Sequence, residues 1–102
     1  MLKTNMEFSK GILFIRLKGD LNKNTIKGVI DKDFKYIVLN IDNIYSIDNY
    51  SIKYLNKIYK LYEENNNKFI ICDKFNISNK LLKGIPKIDR EYDAFKLFER
   101  MI

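Results

Sequence analysis

Residues 36–72 read YIVLNIDNIYSIDNYSIKYLNKIYKLYEENNNKFIIC. The first six form a predicted strand with apolar residues on both faces, which is typical of an interior strand covered by helices. A short polar loop follows, then a predicted helix over residues 49–64 and a second apolar strand over residues 69–72. The connection between the two strands is long enough for a right-handed crossover, so the pattern predicts that they are parallel.

The predicted helix begins after Asp48, which lies where an N-cap is expected. The apolar residues that follow recur at helical spacing: Ile52, Leu55, Ile58, Tyr59 and Tyr62. Asn49, Tyr50 and Ser51 then form the first turn, where a helix has unpaired N–H groups and a partial positive charge. Such a helix start can bind a partner protein or a phosphate group.

The sequence that precedes this strand–helix–strand segment has the pattern of a β-hairpin. Apolar and polar residues alternate over residues 2–8, which predicts a strand with one buried face, and Ser9-Lys10-Gly11 connects it to an apolar strand over residues 12–18. Residues 19–24 have turn composition, and residues 25–30 predict a short helix with Ile26, Val29 and Ile30 inward. The first strand lies at an edge, where it could pair with a second copy and form a homodimer.

The chain after this unit predicts a short helix over residues 78–83, an edge strand over residues 85–88 and an amphipathic helix over residues 91–102. The inward residues of the last helix are predicted to be Tyr92, Phe95, Phe98, Met101 and Ile102. Together the elements predict the α/β class, with a four- to five-stranded mixed sheet and helices packed on it. With 102 residues, the chain predicts a single domain over residues 1–102.

The amino-acid composition argues against several classes of function. The net charge is +6, but acidic residues lie among the basic ones along the whole chain, so nucleic-acid binding is not expected. The chain has no histidine and one cysteine, Cys72, so the commonest general base and the commonest metal ligands are missing. We therefore expect neither an enzyme nor a cofactor nor a metal site. No apolar run approaches 18 residues, so no membrane insertion is expected, and a single cysteine fits the cytoplasm.

Five stretches, in this order and at these spacings, resemble the STAS domain, the fold of bacterial anti-sigma factor antagonists. They are ILFIRLKGDL (residues 12–21), YIVLNIDNI (36–44), IDNYSI (47–52), KFIIC (68–72) and YDAF (92–95). The resemblance covers nearly the whole chain and implies a non-enzymatic switch protein. In that family an anti-sigma factor with a kinase-like fold phosphorylates a serine at the helix start, and the unphosphorylated form binds that anti-sigma factor.

The helix start departs from the family pattern. Asn49 stands at the first serine position, Tyr50 at the phosphorylated serine and Ser51 at the glycine, whereas Asp48 matches. Tyr50 is a poor substrate for a serine/threonine kinase, because its hydroxyl lies far from the backbone. Ser51 is displaced by about 100° around the helix. Ser51 and Tyr50 are nevertheless the two candidate phosphorylation sites.

The resemblance and the residue types predict one partner-binding surface around the helix start. Its residues are Asp20, Asn22, Asn43, Tyr45, Asp48, Asn49, Tyr50, Ser51 and Tyr54. The expected partner is an anti-sigma factor with a kinase-like fold or a related regulatory protein. Two alternatives stay open: a constitutively bound structural subunit of a transport complex or signalling scaffold, and a small-molecule binder. Lys53, Lys57 and Lys60 are predicted to form a solvated helix face.

Overall fold

The computed structural model describes residues 1–78, 82 and 84–101, and within them it contains five strands and two helices. In chain order they are β1 (Leu2–Ser9), β2 (Ile12–Leu21), β3 (Tyr36–Ile47), α1 (Asn49–Glu64), β4 (Lys68–Cys72), β5 (Lys87–Ile88) and α2 (Asp93–Met101). The short helix predicted over residues 78–83 falls mainly outside the described residues. The inward positions predicted for Met101 and Ile102 lie outside what the structure describes.

The strands form one mixed sheet in the order β1-β2-β3-β4-β5. β1 pairs with β2 antiparallel, and the other three pairings are parallel. The predicted fold class and the parallel pairing of the two central strands are therefore confirmed. α1 forms the crossover between β3 and β4, which is the connection that parallel neighbours require.

A two-residue loop closes the β1–β2 hairpin. Lys10 and Gly11 both have positive φ, at 50° and 85°, and Ser9 already pairs with Ile12. Positive φ at both loop positions is the type I′ turn, whose twist matches that of the flanking strands. The predicted connection began one residue too early, because Ser9 belongs to the strand.

β2 and β3 extend beyond their predicted ends. β2 runs to Leu21 and β3 to Ile47, so the turn predicted after Lys18 and the loop predicted after Ile41 both begin as strand. Two register shifts between the strands accommodate this extension and keep Ile44 in the core. β4 ends opposite Asn40, so the last residues of β3 pair with β2 alone among the described strands.

β1 is exposed on both faces, and the prediction of one buried face was wrong. Met6 is 48% exposed and Phe8 is 60% exposed. The core on that side of the sheet lies over β2, β3 and β4, and only Leu2 of β1 packs against it.

Residues 22–30 form successive turns instead of the predicted helix. The Asn22 N–H donates to Thr25 Oγ1 at 2.9 Å, and Thr25 Oγ1 donates to the Asp20 carbonyl at 2.8 Å. These side-chain bonds compete with helical backbone bonds and hold a turn. Ile26, Val29 and Ile30 are nevertheless buried, as predicted.

The sheet separates two apolar cores. α1 covers one face with Leu55, Ile58 and Tyr62, which pack over residues of β2 and β3 such as Ile15 and Leu39. α2 covers the other face, where Ala94 and Phe98 pack on residues such as Phe14, Val38 and Ile70. Tyr92 is 66% exposed and lies before α2, so its predicted inward position was wrong.

Arg16 on β2 connects the sheet to the segment that precedes α2. Its Nε and Nη2 donate to the Glu91 carboxylate at 2.8–3.1 Å, and Asn40 Nδ2 donates to Glu91 Oε2 at 2.7 Å. Arg16 also donates to Asn5 and Glu7 of β1. Burial raises the pKa of Glu91, but the bonds from Arg16 and Asn40 outweigh it, so the pKa lies below its usual value.

Candidate protein-binding site

Asp48 connects the end of β2 to the start of α1. Its N–H donates to the Leu21 carbonyl at 3.0 Å. Its carboxylate accepts from the Ser51 N–H at 2.8 Å and from the Lys23 N–H at 3.2 Å. Asp48 is therefore the N-cap of α1, as predicted, and it also holds the turn after β2. The Ser51 N–H is the main reason why the pKa of Asp48 is lowered.

A second link joins β2 and β3 beside this cap. Ser46 Oγ donates to Asp20 Oδ1 at 2.7 Å, and the two residues are register partners. Ser46 is exposed, and the sequence reasoning assigned it no role. Its contact with Asp20 depends on the long parallel pairing of β2 with β3, and no local pattern signals that pairing.

Asn22 stabilises the turn that follows. Its Oδ1 accepts from the Asn24 N–H at 2.9 Å, which is an Asx turn. Asp20, Asn22 and Asp48 are therefore brought close together by backbone and side-chain bonds around residues 20–25. The backbone of this part of the predicted surface is therefore held in place by hydrogen bonds within the turn and to Ser46 and Asp48.

The three predicted aromatic residues do not form one stacked patch. Tyr45 is 70% exposed on β3, next to the buried Ile44. Tyr50 is 42% exposed on the first turn of α1, and Tyr54 one turn later is half-buried against the core. Tyr50 and Tyr54 line a shallow groove of about 240 Å³ together with Lys53 and Lys57. Among the described residues, no pair of these three tyrosines makes a ring contact.

The remaining predicted residues differ in exposure. Asn43 and Asn49 are exposed, whereas Ser51 is fully buried. Among the described residues, the Ser51 hydroxyl makes no hydrogen bond. Ser51 therefore lies beneath the surface formed by the other predicted residues.

One face of α1 is positively charged. Lys53, Lys57 and Lys60 are exposed at helical spacing, and none of them forms an ion pair with the described part of the chain. The solvated helix face predicted for these lysines is what the structure shows. Lys53 and Lys57 border the groove formed by Tyr50 and Tyr54.

The described residues contain no cluster of three or more His, Cys, Asp or Glu residues that could hold a metal ion. Cys72 is 1% exposed, and burial together with the nearby Asp42 charge raises its pKa to about 12. Its thiol is therefore an inert part of the core on the α2 side. None of the helices in the described ranges has the length and apolar character needed to cross a membrane.

The fold is that of the SpoIIAA-like anti-sigma factor antagonists, which confirms the resemblance to the STAS domain at the level of the fold. The structure of the anti-sigma factor antagonist SpoIIAA in its unphosphorylated form has 15% identity and a TM-score of 0.72. That match covers 98% of this chain and 100% of SpoIIAA.

Two further structures agree with this assignment. A proposed anti-sigma factor antagonist from Thermotoga maritima has 15% identity and a TM-score of 0.81, and the match covers 95% of each chain. An anti-sigma factor antagonist from Mycobacterium paratuberculosis has 14% identity and a TM-score of 0.76, with 97% of this chain and 95% of that one covered. No protein-family model and no curated protein sequence matches the chain significantly.

Proposed function

We propose that this domain is a protein-binding regulator that acts as an anti-sigma factor antagonist. Its partner would be an anti-sigma factor with a kinase-like fold or a related regulatory protein. The observation that carries the proposal is the exposure of Tyr45 and Tyr50 around a backbone held by Asp48. Exposed tyrosines on rigid backbone bind partners at a low cost in conformational entropy.

The proposed mechanism is competition. The surface is defined by Asp20, Asn22, Asn43, Tyr45, Asp48, Asn49, Tyr50 and Tyr54, and we call it the helix-start surface. When it covers the partner, the partner can no longer hold its own target, and that target is released. Lys53 and Lys57 border the surface, so an acidic segment of the partner would fit beside the tyrosines.

The burial of Ser51 favours a second candidate function. A kinase needs an accessible hydroxyl, and Ser51 is fully buried. Without phosphorylation at this turn, binding would be constitutive, as in a structural subunit of a transport complex or signalling scaffold. Ser51 and Tyr50 stay the candidate phosphorylation sites if the domain is a switch. Pairing of two copies through β1 uses other residues and is compatible with both functions.

An affinity pull-down from extracts of the native cell, with wild type and Tyr50→Ala, tests the helix-start surface. We expect Tyr50→Ala to lose most of the partner, because truncating a central interface tyrosine costs about 2 kcal/mol, or roughly 30-fold in affinity. Tyr92→Ala is the matched control, because Tyr92 is 66% exposed before α2. Equal recovery with Tyr50→Ala and wild type would show that the surface is placed wrongly.

Incubating the purified partner and this domain with ATP separates the two candidate functions. A mass increase of one phosphoryl group on this chain would support the switch, and mapping would assign it to Ser51 or Tyr50. Tight binding with unchanged mass would support the constitutive subunit.

A further inference from the structure

We propose that two copies of this chain form a homodimer through antiparallel pairing of β1 with β1, centred on Asn5. β1 is the edge strand of the sheet, and its residues 3–8 are all exposed. An edge of this length has unpaired N–H and C=O groups that a second strand can satisfy. The proposal concerns a surface distinct from the helix-start surface and does not depend on it.

The sequence of β1 selects the register. In an antiparallel pair, directly opposite side chains share one face of the sheet. Centring the two-fold axis on Asn5 places Leu2 opposite Phe8 of the second copy, and Thr4 opposite Met6 of the second copy. A shift by one residue would place Lys3 opposite Phe8 instead, which mixes charged and apolar faces.

The charges of β1 are complementary in this register. Lys3 lies opposite Glu7 of the second copy, and the two-fold axis creates this pair twice. Within its own chain, Lys3 is the register partner of Lys18, so two like charges face each other there. An acidic group on the free side of Lys3 offsets that repulsion. Glu7 is 57% exposed in the ion pair that it makes with Arg16, so it has room for a second cation.

The apolar face of β1 is complementary as well. Phe8 contacts the Phe34 ring at a centroid distance of 5.3 Å, but 60% of Phe8 remains exposed. Met6 lines an open groove of about 460 Å³ together with Leu2, Thr4 and Val29. In the dimer the exposed apolar side chains of one copy, Met6 and Phe8, lie against Thr4 and Leu2 of the other. Water is thereby removed from apolar surface that the monomer leaves uncovered.

The interface is small, so the expected state is a reversible equilibrium between monomer and dimer. One strand pair with its flanking side chains lies at the low end of specific interfaces, where affinities are weak. The two sheets join edge to edge through their β1 strands. Each copy keeps its α1 on the same side of the joined sheet, because the two-fold axis is perpendicular to the sheet.

Sedimentation equilibrium over a range of protein concentrations tests the charge pairing. We expect Lys3→Glu to raise the dimer Kd about tenfold or more, because it creates two like-charge contacts in the interface. In the monomer this change places Glu opposite Lys18, so folding is preserved. The double variant K3E/E7K restores opposite charges across the interface and should return the dimer Kd to within a few-fold of wild type. E7K also breaks the Glu7–Arg16 ion pair within each monomer, so circular dichroism first verifies that the double variant is folded. Failure of the double variant to recover would overturn the register.

A cysteine variant tests the two-fold axis directly. On a Cys72→Ala background, Asn5→Cys places the two thiols opposite each other at a distance that a disulfide can span, so mild oxidation should produce a covalent dimer. Thr4→Cys is the matched control, because its counterpart is offset along the strand by two residues. Cross-linking of Thr4→Cys in preference to Asn5→Cys would contradict the proposed pairing. If the wild-type chain stays monomeric at millimolar concentration, the dimer proposal is wrong. The β1 edge would then be available to pair with a strand of another protein.

Discussion

Two residues at the start of α1 differ sharply in how their polar groups are satisfied. Asp48 is bonded through its N–H and both carboxylate oxygens. Three residues later the Ser51 hydroxyl is buried, and no group in the described part of the chain forms a hydrogen bond with it. A buried hydroxyl that has lost its water and gained no bond destabilises the folded state. The start of α1 therefore contains one residue that stabilises the fold and, three positions later, one that destabilises it.

Replacing Ser51 by Ala should stabilise the protein. The change removes the unpaired hydroxyl and improves helix propensity, so we expect the free energy of unfolding to rise by about 0.5–1.5 kcal/mol. Urea denaturation followed by circular dichroism measures it. Ser46→Ala is the matched control, because it removes a hydroxyl bonded to Asp20 and should be neutral or destabilising. A loss of stability in Ser51→Ala would mean that its hydroxyl has a partner.

The position of Ser51 was available from the sequence and was overlooked. Ser51, Leu55, Ile58 and Tyr62 are spaced by four, three and four residues, and all are buried. That spacing places Ser51 on the inner face of α1. The exposure of Tyr45 was not available in the same way, because it depends on β3 continuing through residues that have a loop-like composition.

The elements show where sequence patterns succeed and where they fail. Apolar periodicity located β2, β3, α1 and β4, because each has to bury a face against the sheet or the core. It did not locate the end of β3, because residues 42–47 are held by pairing with β2 across two register shifts. It also missed the Arg16–Glu91 contact, whose residues are 75 positions apart. Contacts between residues so far apart in the sequence produce no recognisable local sequence pattern.

Glu91 should contribute to docking α2 in a pH-dependent way. At neutral pH we expect Glu91→Gln to lower the free energy of unfolding by about 1–2 kcal/mol, because Arg16 loses its charged partner. The pKa of Glu91 is lower in the folded protein than its usual value of 4.5. Its contribution is therefore complete well above pH 4.5 and is lost as the pH falls through the lowered folded value.

Urea denaturation of wild type and Glu91→Gln between pH 3 and pH 7 measures this effect. The difference between the two proteins should be constant near neutrality and should shrink toward zero in acid. Arg90→Gln is the control, because Arg90 forms an exposed pair with Asp93 and should cost less than about 0.5 kcal/mol. A difference that is independent of pH would show that the Glu91 charge has no part in docking.

For the whole molecule, the two cores are unequal. The core under α1 includes more of the described residues than the core under α2. α2 has nine residues and packs on the sheet through residues such as Ala94, Phe95 and Phe98, with the Arg16–Glu91 contact just before it. We infer that α2 can leave the sheet while the larger core stays folded.

Cys72 reports on this opening, because it is buried in the α2-side core. Thiol labelling at pH 8 should be slow in the native protein, since its pKa is raised to about 12 by burial and by Asp42. Glu91→Gln should accelerate labelling about tenfold, which corresponds to about 1.4 kcal/mol of local opening. Ile58→Val, which weakens the α1 core by about 0.5–1.5 kcal/mol, is the control. Equal acceleration by both changes would show that the molecule opens as one unit.

The end of β3 beyond Asn40 has a consequence for motion on slow timescales. From Ile37 to Asn40 the strand has β2 on one side and β4 on the other, so its amides exchange with solvent only when the sheet opens. From Asn43 onward β2 is the one described strand that pairs with β3, and opening this segment of the sheet breaks a single ladder of hydrogen bonds. Amides of residues 43–47 should therefore exchange with solvent faster than those of residues 37–40, while the Ser46–Asp20 bond and the Asp48 cap hold the backbone next to Tyr45.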